Sequence, residues 1–152
     1  MPNLAQMKLL LLIQGALIKQ EGAAVCYRAW DDDFSAQRNF ALAQTKADWV
    51  LYLDADERLN NQLISAIKNI VSEGKLDSQF SIERKSVAFG TKFNHGVLKP
   101  DHVIRMFPRT TVVWVHKVHE HPECSLSIQI LPGHIEHYTY KNWHHWEGKL
   151  CQ

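Results

Sequence analysis

The stretch Trp49-Val50-Leu51-Tyr52-Leu53-Asp54-Ala55-Asp56-Glu57 decides the fold. Its first five residues are apolar without alternation. Such a run belongs to a strand covered on both faces, as in a parallel sheet. It breaks off abruptly into Asp54, Asp56 and Glu57. In open α/β sheets ligands bind beyond the carboxyl ends of the strands, so this position alone nominates Asp54 and Asp56. Residues two apart in an extended segment project to the same side, which predicts that both carboxylates reach one ion. Hard oxygen donors of this kind suit Mg²⁺ or Mn²⁺, which keep open positions for waters and substrate phosphates. Two acids in a solvated turn are the competing reading, and the flanking elements weigh against it.

Downstream, Leu63, Ile64, Ile67, Ile70 and Val71 fall on one stripe of an amphipathic helix, with Gly74 as its stop. Upstream, Asp31-Asp32-Asp33 leads into a second helix expected over residues 35–46. Any of the three acids or Ser35 can cap its start. Val25 and Tyr27 predict a short strand over 23–29, and residues 4–20 read as a helix that stops near Gly22. The Leu9–Ile13 run behind Lys8 also has the outline of a secretory signal, but it is far below the roughly 20 residues that span a bilayer.

From Phe80 onward, β-rich runs over 80–89, 102–107, 111–118, 125–131 and 134–140 alternate with Gly and Pro, and a closing helix is expected from Asn142. A βα-alternating front and a strand-rich back predict an α/β nucleotide-binding layer followed by an acceptor-side sheet.

With 152 residues, 45% apolar and 22% charged, the chain can bury a core as one domain, and disorder is excluded. The net charge of +1 leaves no electrostatic footprint for nucleic acid or an anionic membrane. Cys26, Cys124 and Cys151 are odd in number and scattered, which suits a reducing compartment better than a disulfide framework. Nine histidines raise the question of a metal site. A zinc cluster of His119, Glu120, His121 and Cys124 follows no standard structural spacing, and Pro122 interrupts it.

Two strings carry a resemblance: Trp30-Asp31-Asp32-Asp33-Phe34-Ser35-Ala36-Gln37-Arg38-Asn39-Phe40-Ala41-Leu42, and Asp48 through Arg58 around the acidic pair. Together they resemble inverting glycosyltransferases of family 2, particularly the lipopolysaccharide core β-1,4-glucosyltransferases. Phe93-Asn94-His95-Gly96, Pro100 through Arg109, Trp114, Val118-His119-Glu120 and His137 through Trp143 extend the likeness over about residues 16–146.

The resemblance implies a partial GT-A fold, the Rossmann-like α/β fold of nucleotide-diphospho-sugar transferases. It makes Asp54 and Asp56 the D-x-D pair, with His137 completing the shell of a Mg²⁺ or Mn²⁺ ion. Arg38, Asn39 and Arg105 would face the donor with the two aspartates, and Glu120 would be the catalytic base. The implied donor is a UDP-sugar, the implied acceptor the lipopolysaccharide core. The implied location is the cytoplasm, with room for peripheral contact at the inner membrane. Residues 1–15 match nothing in the family, 16–76 correspond to its nucleotide-binding part and 77–152 to its acceptor side. Family members begin earlier and continue further, so the sequence reads as a GT-A domain truncated at both ends. An inactive remnant or binding module is therefore the alternative to an enzyme.

Overall fold

The computed structural model describes residues 10–11, 26, 28–29 and 31–140. Chain order runs through β1 (Leu10–Leu11), α1 (Phe34–Ala43), β2 (Trp49–Leu53), β3 (Glu57–Leu59), α2 (Asn61–Glu73) and β4 (Ser78–Ala88). It continues with β5 (Thr91–Lys92), β6 (Asp101–Pro108), β7 (Val113–Val115), β8 (His121–Glu123) and β9 (Ser127–Tyr140). Among these residues one sheet has the order β1-β2-β6-β4-β9-β3, with β5 added to β4, and β7 pairs separately with β8.

The apolar run is buried at all five positions, as its lack of alternation predicts. Its odd and even residues enter different cores. Trp49, Leu51 and Leu53 pack with Leu63 and Ile67 of α2, Phe80, Ile82, Met106 and Ile135. Val50 and Tyr52 pack with Phe107, Val112 and Trp114 on the opposite face. Burial on both faces does not specify strand direction, however. β2 runs parallel to β1 but antiparallel to β6, so the sheet is mixed.

α2 begins at Asn60, whose side chain accepts from the Leu63 N–H, and ends at Gly74 in the left-handed conformation, as the helix-stop reading requires. α1 begins where Asp33 accepts from the Ala36 N–H. The structure thereby selects one cap from the four candidates, and the helix stops at Ala43 rather than near Lys46.

Other boundaries differ from the sequence reading. The helix expected over 4–20 is contradicted at Leu10 and Leu11, which pair in parallel with Tyr52 and Leu53. An apolar run of that length can be a helix segment or a buried strand, and the sheet edge at β2 decides in favour of the strand. Of the strand expected at 23–29, Cys26, Arg28 and Ala29 lie in no regular element, and its other residues, Val25 and Tyr27 among them, lie outside the described residues. The strand expected over 111–118 shrinks to β7, because Arg109–Thr111 forms a 3-10 turn. The closing helix lies outside the described residues.

The two strands expected over 125–131 and 134–140 are one strand, β9, and Pro132-Gly133 forms an irregularity inside it. Ser81 pairs with Ile130 and Glu83 with His134, so β9 uses four residues where β4 uses two. Gly133 has φ +98°, and a Cβ there would strike the Leu63 backbone and Asn60 Oδ1 at the start of α2. Strands from the front and back of the chain interleave in this single sheet.

Candidate functional site

The chain turns sharply where β2 ends. The Glu57 N–H donates to the Asp54 carbonyl at 3.0 Å, and the Asp54 N–H donates to Glu57 Oε2 at 3.0 Å. β3 then pairs with β9 in a register that sets Glu57 opposite His137, and the Tyr138 N–H donates to the Asp56 carbonyl at 2.8 Å. This register brings His137 Nε2 to 3.4 Å from Asp56 Oδ2. The Asp54 and Asp56 side chains remain 39% and 38% exposed, so both reach solvent.

Asp54 meets guanidinium groups. Arg105 Nη2 donates to Asp54 Oδ2 at 2.9 Å and to Glu57 Oε1 at 3.0 Å. Arg38 Nη2 lies 3.6 Å from Asp54 Oδ1 and 3.4 Å from Glu120 Oε1. Arg38 Nε also donates to Glu120 Oε1 at 3.4 Å, while its Cζ sits 4.4 Å from the Trp114 ring centroid. Stacking on an aromatic face while forking toward carboxylates is a guanidinium's particular ability.

α1 holds Arg38 in place through its neighbour. Asn39 Nδ2 donates to the Trp114 carbonyl at 2.8 Å, and the Trp114 N–H donates to Asn39 Oδ1 at 2.9 Å. At the start of α1, the Ala36 N–H and then the Ser35 hydroxyl keep the Asp33 carboxyl below its usual range.

A cleft of about 530 Å³ is lined by Arg38, Asp54, Arg105, Trp114, Glu120 and Pro122, among others. That volume lies within the range of small-molecule sites. Behind it Tyr52 packs edge-on against Trp114, with centroids 5.0 Å apart. Burial pushes the Tyr52 phenol up to about 12, against smaller opposing effects of Trp114 and the Arg38 charge. His116 and His119, just before Glu120, have φ of 67° and 58°. Left-handed backbone at non-glycine residues is a form of strain that concentrates at functional loops.

Of the residues nominated from the sequence, Arg38, Asp54, Arg105 and Glu120 meet at this cleft. Asp56 and His137 meet each other outside the residues that line the cleft. Asn39 bonds the Trp114 backbone instead of lining the cleft. Arg109, at the end of the Pro100–Arg109 string, donates from Nε to the Ala47 carbonyl at 2.9 Å.

Sequence reasoning gave no role to Glu57 or Trp114. A third acid directly after the pair was the one available sign of Glu57. Trp114 belongs to the likeness, but no spacing rule connects it to Arg38.

No group of three His, Cys, Asp or Glu able to hold a metal occurs among the described residues. Asp56 and His137 nevertheless fit a share of one shell. Their 3.4 Å separation matches two donors at about 2.1 Å from a common ion, and Mg²⁺-like ions take their remaining ligands from waters and phosphates.

No described helix is long and apolar enough to cross a membrane. A 44-residue stretch is 50% identical to a TPR repeat-containing protein of Synechococcus elongatus, covering 29% of this chain. The matched stretch spans only 11% of that relative. Residues 11–125 match Glycosyl transferase family 2, and the helix-flanked mixed sheet that ends in this acidic turn fits a partial GT-A fold; the chain belongs to that family of glycosyltransferases.

Proposed function

We propose that the chain transfers a hexose from a UDP-sugar with inversion, its donor being UDP-glucose and its acceptor an inner-core heptose of lipopolysaccharide. The observation that carries the reaction is the position of Arg38 Nη2, 3.6 Å from Asp54 and 3.4 Å from Glu120. One guanidinium thus joins the candidate donor-phosphate turn to the candidate base across one cleft. The glucose donor and heptose acceptor are supported by the likeness of the quoted strings to the core glucosyltransferases. This reading places the reaction in the cytoplasm, with peripheral contact at the inner membrane.

In this reading Glu120 takes the proton of the acceptor hydroxyl as that oxygen attacks the anomeric carbon. The bond from the anomeric carbon to the UDP β-phosphate oxygen breaks, and its electron pair leaves with the diphosphate. Arg38 and Arg105 present donors to the phosphates, where bidentate guanidinium contacts orient as well as neutralise. Asp56 and His137 would hold a divalent cation, which when bound would neutralise charge on the leaving diphosphate, with Asp54 beside them paired to Arg105. The likeness to the family makes Asp56 the principal ligand.

Calorimetry with UDP, with and without Mn²⁺, tests the donor site. Saturable heat should depend on Mn²⁺ and disappear in Asp56→Ala; equal affinity with and without the ion removes the metal from the reading. The absence of any saturable heat assigns the chain to the alternative, a remnant or binding module without donor chemistry. Glu120→Gln should keep UDP affinity and lower kcat by about 10²–10⁴-fold. Retained turnover would dismiss Glu120 as the base.

A further inference from the structure

We infer that Glu57, which touches neither substrate in the proposed reaction, is the positioning residue of the donor turn. Through one buried carboxylate it fixes both the Asp54 backbone and the Arg105 guanidinium. The inference rests on the donor site proposed above and deepens it.

The Glu57 side chain is 0% exposed. A carboxylate so buried persists as an ion only where charges and hydrogen bonds compensate it. Both of its oxygens are engaged. Oε1 accepts from Arg105 Nη2 at 3.0 Å and has Arg84 Nη1 at 3.8 Å. Oε2 accepts from the Asp54 N–H at 3.0 Å. The Glu57 N–H closes the same turn onto the Asp54 carbonyl, and its register partner is His137. One residue therefore joins the end of β2 to β4, β6 and β9.

The arginine makes this arrangement bear on the ligand site. Arg105 Nη2 divides its donation between Glu57 Oε1 and Asp54 Oδ2, at 3.0 and 2.9 Å. Removing the charge of Glu57 leaves Asp54 as the carboxylate partner of that nitrogen. Asp54 is then drawn harder onto Arg105, which shifts its carboxylate within the cleft. A glutamine has one acceptor oxygen for these two donors, so either the Asp54 N–H or Arg105 loses its acceptor, which loosens the turn that sets where Asp56 points. Glu57 acts through Asp54 and Arg105, and Arg84, itself paired with Asp101 at 2.6 Å, anchors the node on its far side.

The test is UDP titration with Mn²⁺ on the full chain, comparing wild type with Glu57→Gln, each with and without Asp54→Asn. Glu57→Gln should weaken UDP by about tenfold, the scale on which groups orienting a metal ligand act. In the Asp54→Asn background the further loss should fall below about twofold, because the effect passes through Asp54. A merely structural Glu57 would lower the unfolding midpoint in both backgrounds and leave UDP affinity of the folded protein unchanged. That result overturns the inference. If Glu57→Gln does not fold, Glu57→Asp decides. It keeps the charge but is one methylene too short to reach both partners, so unchanged affinity overturns the inference and weakened affinity supports it. A wild-type chain that binds no UDP overturns the donor site and the inference together; a wild type that binds, with variants that bind equally well, overturns Glu57 alone.

Discussion

At the Asp54-Ala55-Asp56 turn the Asp54 carboxylate meets Arg105 and Arg38, at 2.9 and 3.6 Å; the Asp56 carboxylate meets the imidazole of His137, at 3.4 Å. The two aspartates are equally exposed, so solvent does not distinguish them. Their partners do. A guanidinium stays charged at any working pH and holds its carboxylate in a fixed pair. A neutral imidazole can offer a lone pair to a metal beside a carboxylate. Residues two apart thus divide into an arm anchored through Arg105 to the buried Glu57 and an arm paired with a partly exposed histidine. An acidic pair at a strand end need not act as a pair of equivalent ligands.

The largest expected effect is on the anchored arm. Arg105→Met leaves Glu57 buried with Arg84 at 3.8 Å as its remaining cation. It should therefore destabilise the fold by about 3 kcal/mol, near the lower end for breaking a buried ion pair. Urea unfolding measures this, and a loss below about 1 kcal/mol would mean that Glu57 relaxes toward Arg84.

Next is a pH effect in the layer beneath Arg38. The Tyr52 phenol has an ordinary value of 10.0 and is raised to about 12 in the fold. Its contribution to stability is therefore fully present below pH 10 and is lost as pH rises toward 12. The loss is on the order of 2 kcal/mol. Tyr52→Phe keeps the ring but removes the ionisation, so its stability between those pH values should fall less than that of wild type. Parallel curves for the two proteins would contradict the shift.

The smallest effect sharpens the comparison itself. His137→Ala should weaken Mn²⁺-dependent UDP binding by about tenfold with little change in the unfolding midpoint, because the His137 side chain is partly exposed and pairs with the partly exposed Asp56. If affinity holds while stability falls, the imidazole belongs to the β3–β9 register and not to the ion.

The best-read elements were those set by local pattern. Five consecutive apolar residues announced β2, and the stripe from Leu63 to Val71 ending at Gly74 announced α2. Helix α1 was legible to within a few residues, with its cap left among four candidates. What failed depended on pairing. Leu10 and Leu11 have no period that separates strand from helix, and Tyr52 and Leu53 as neighbours settle them. Glu57–Leu59 is too short to announce itself and is a strand because β9 lies beside it. The donor-facing reading of Asn39 shows the same limit in a single side chain, since its amide is matched to the Trp114 backbone 75 residues away.

By itself the sequence determined that an apolar strand is buried on both faces, that it ends in carboxylates, and that an amphipathic helix follows. Side-chain polarity and spacing along a continuous segment are enough for that. Only the tertiary structure decided which carboxylate meets arginine and which meets histidine. Arg38 comes from α1, while Arg105 and His137 come from β6 and β9, far along the chain, and their approach depends on strand order and on a register shifted at Pro132-Gly133. One residue of slip in a strand turns every side chain to the opposite face, so these meetings follow from long-range pairing and from no local pattern.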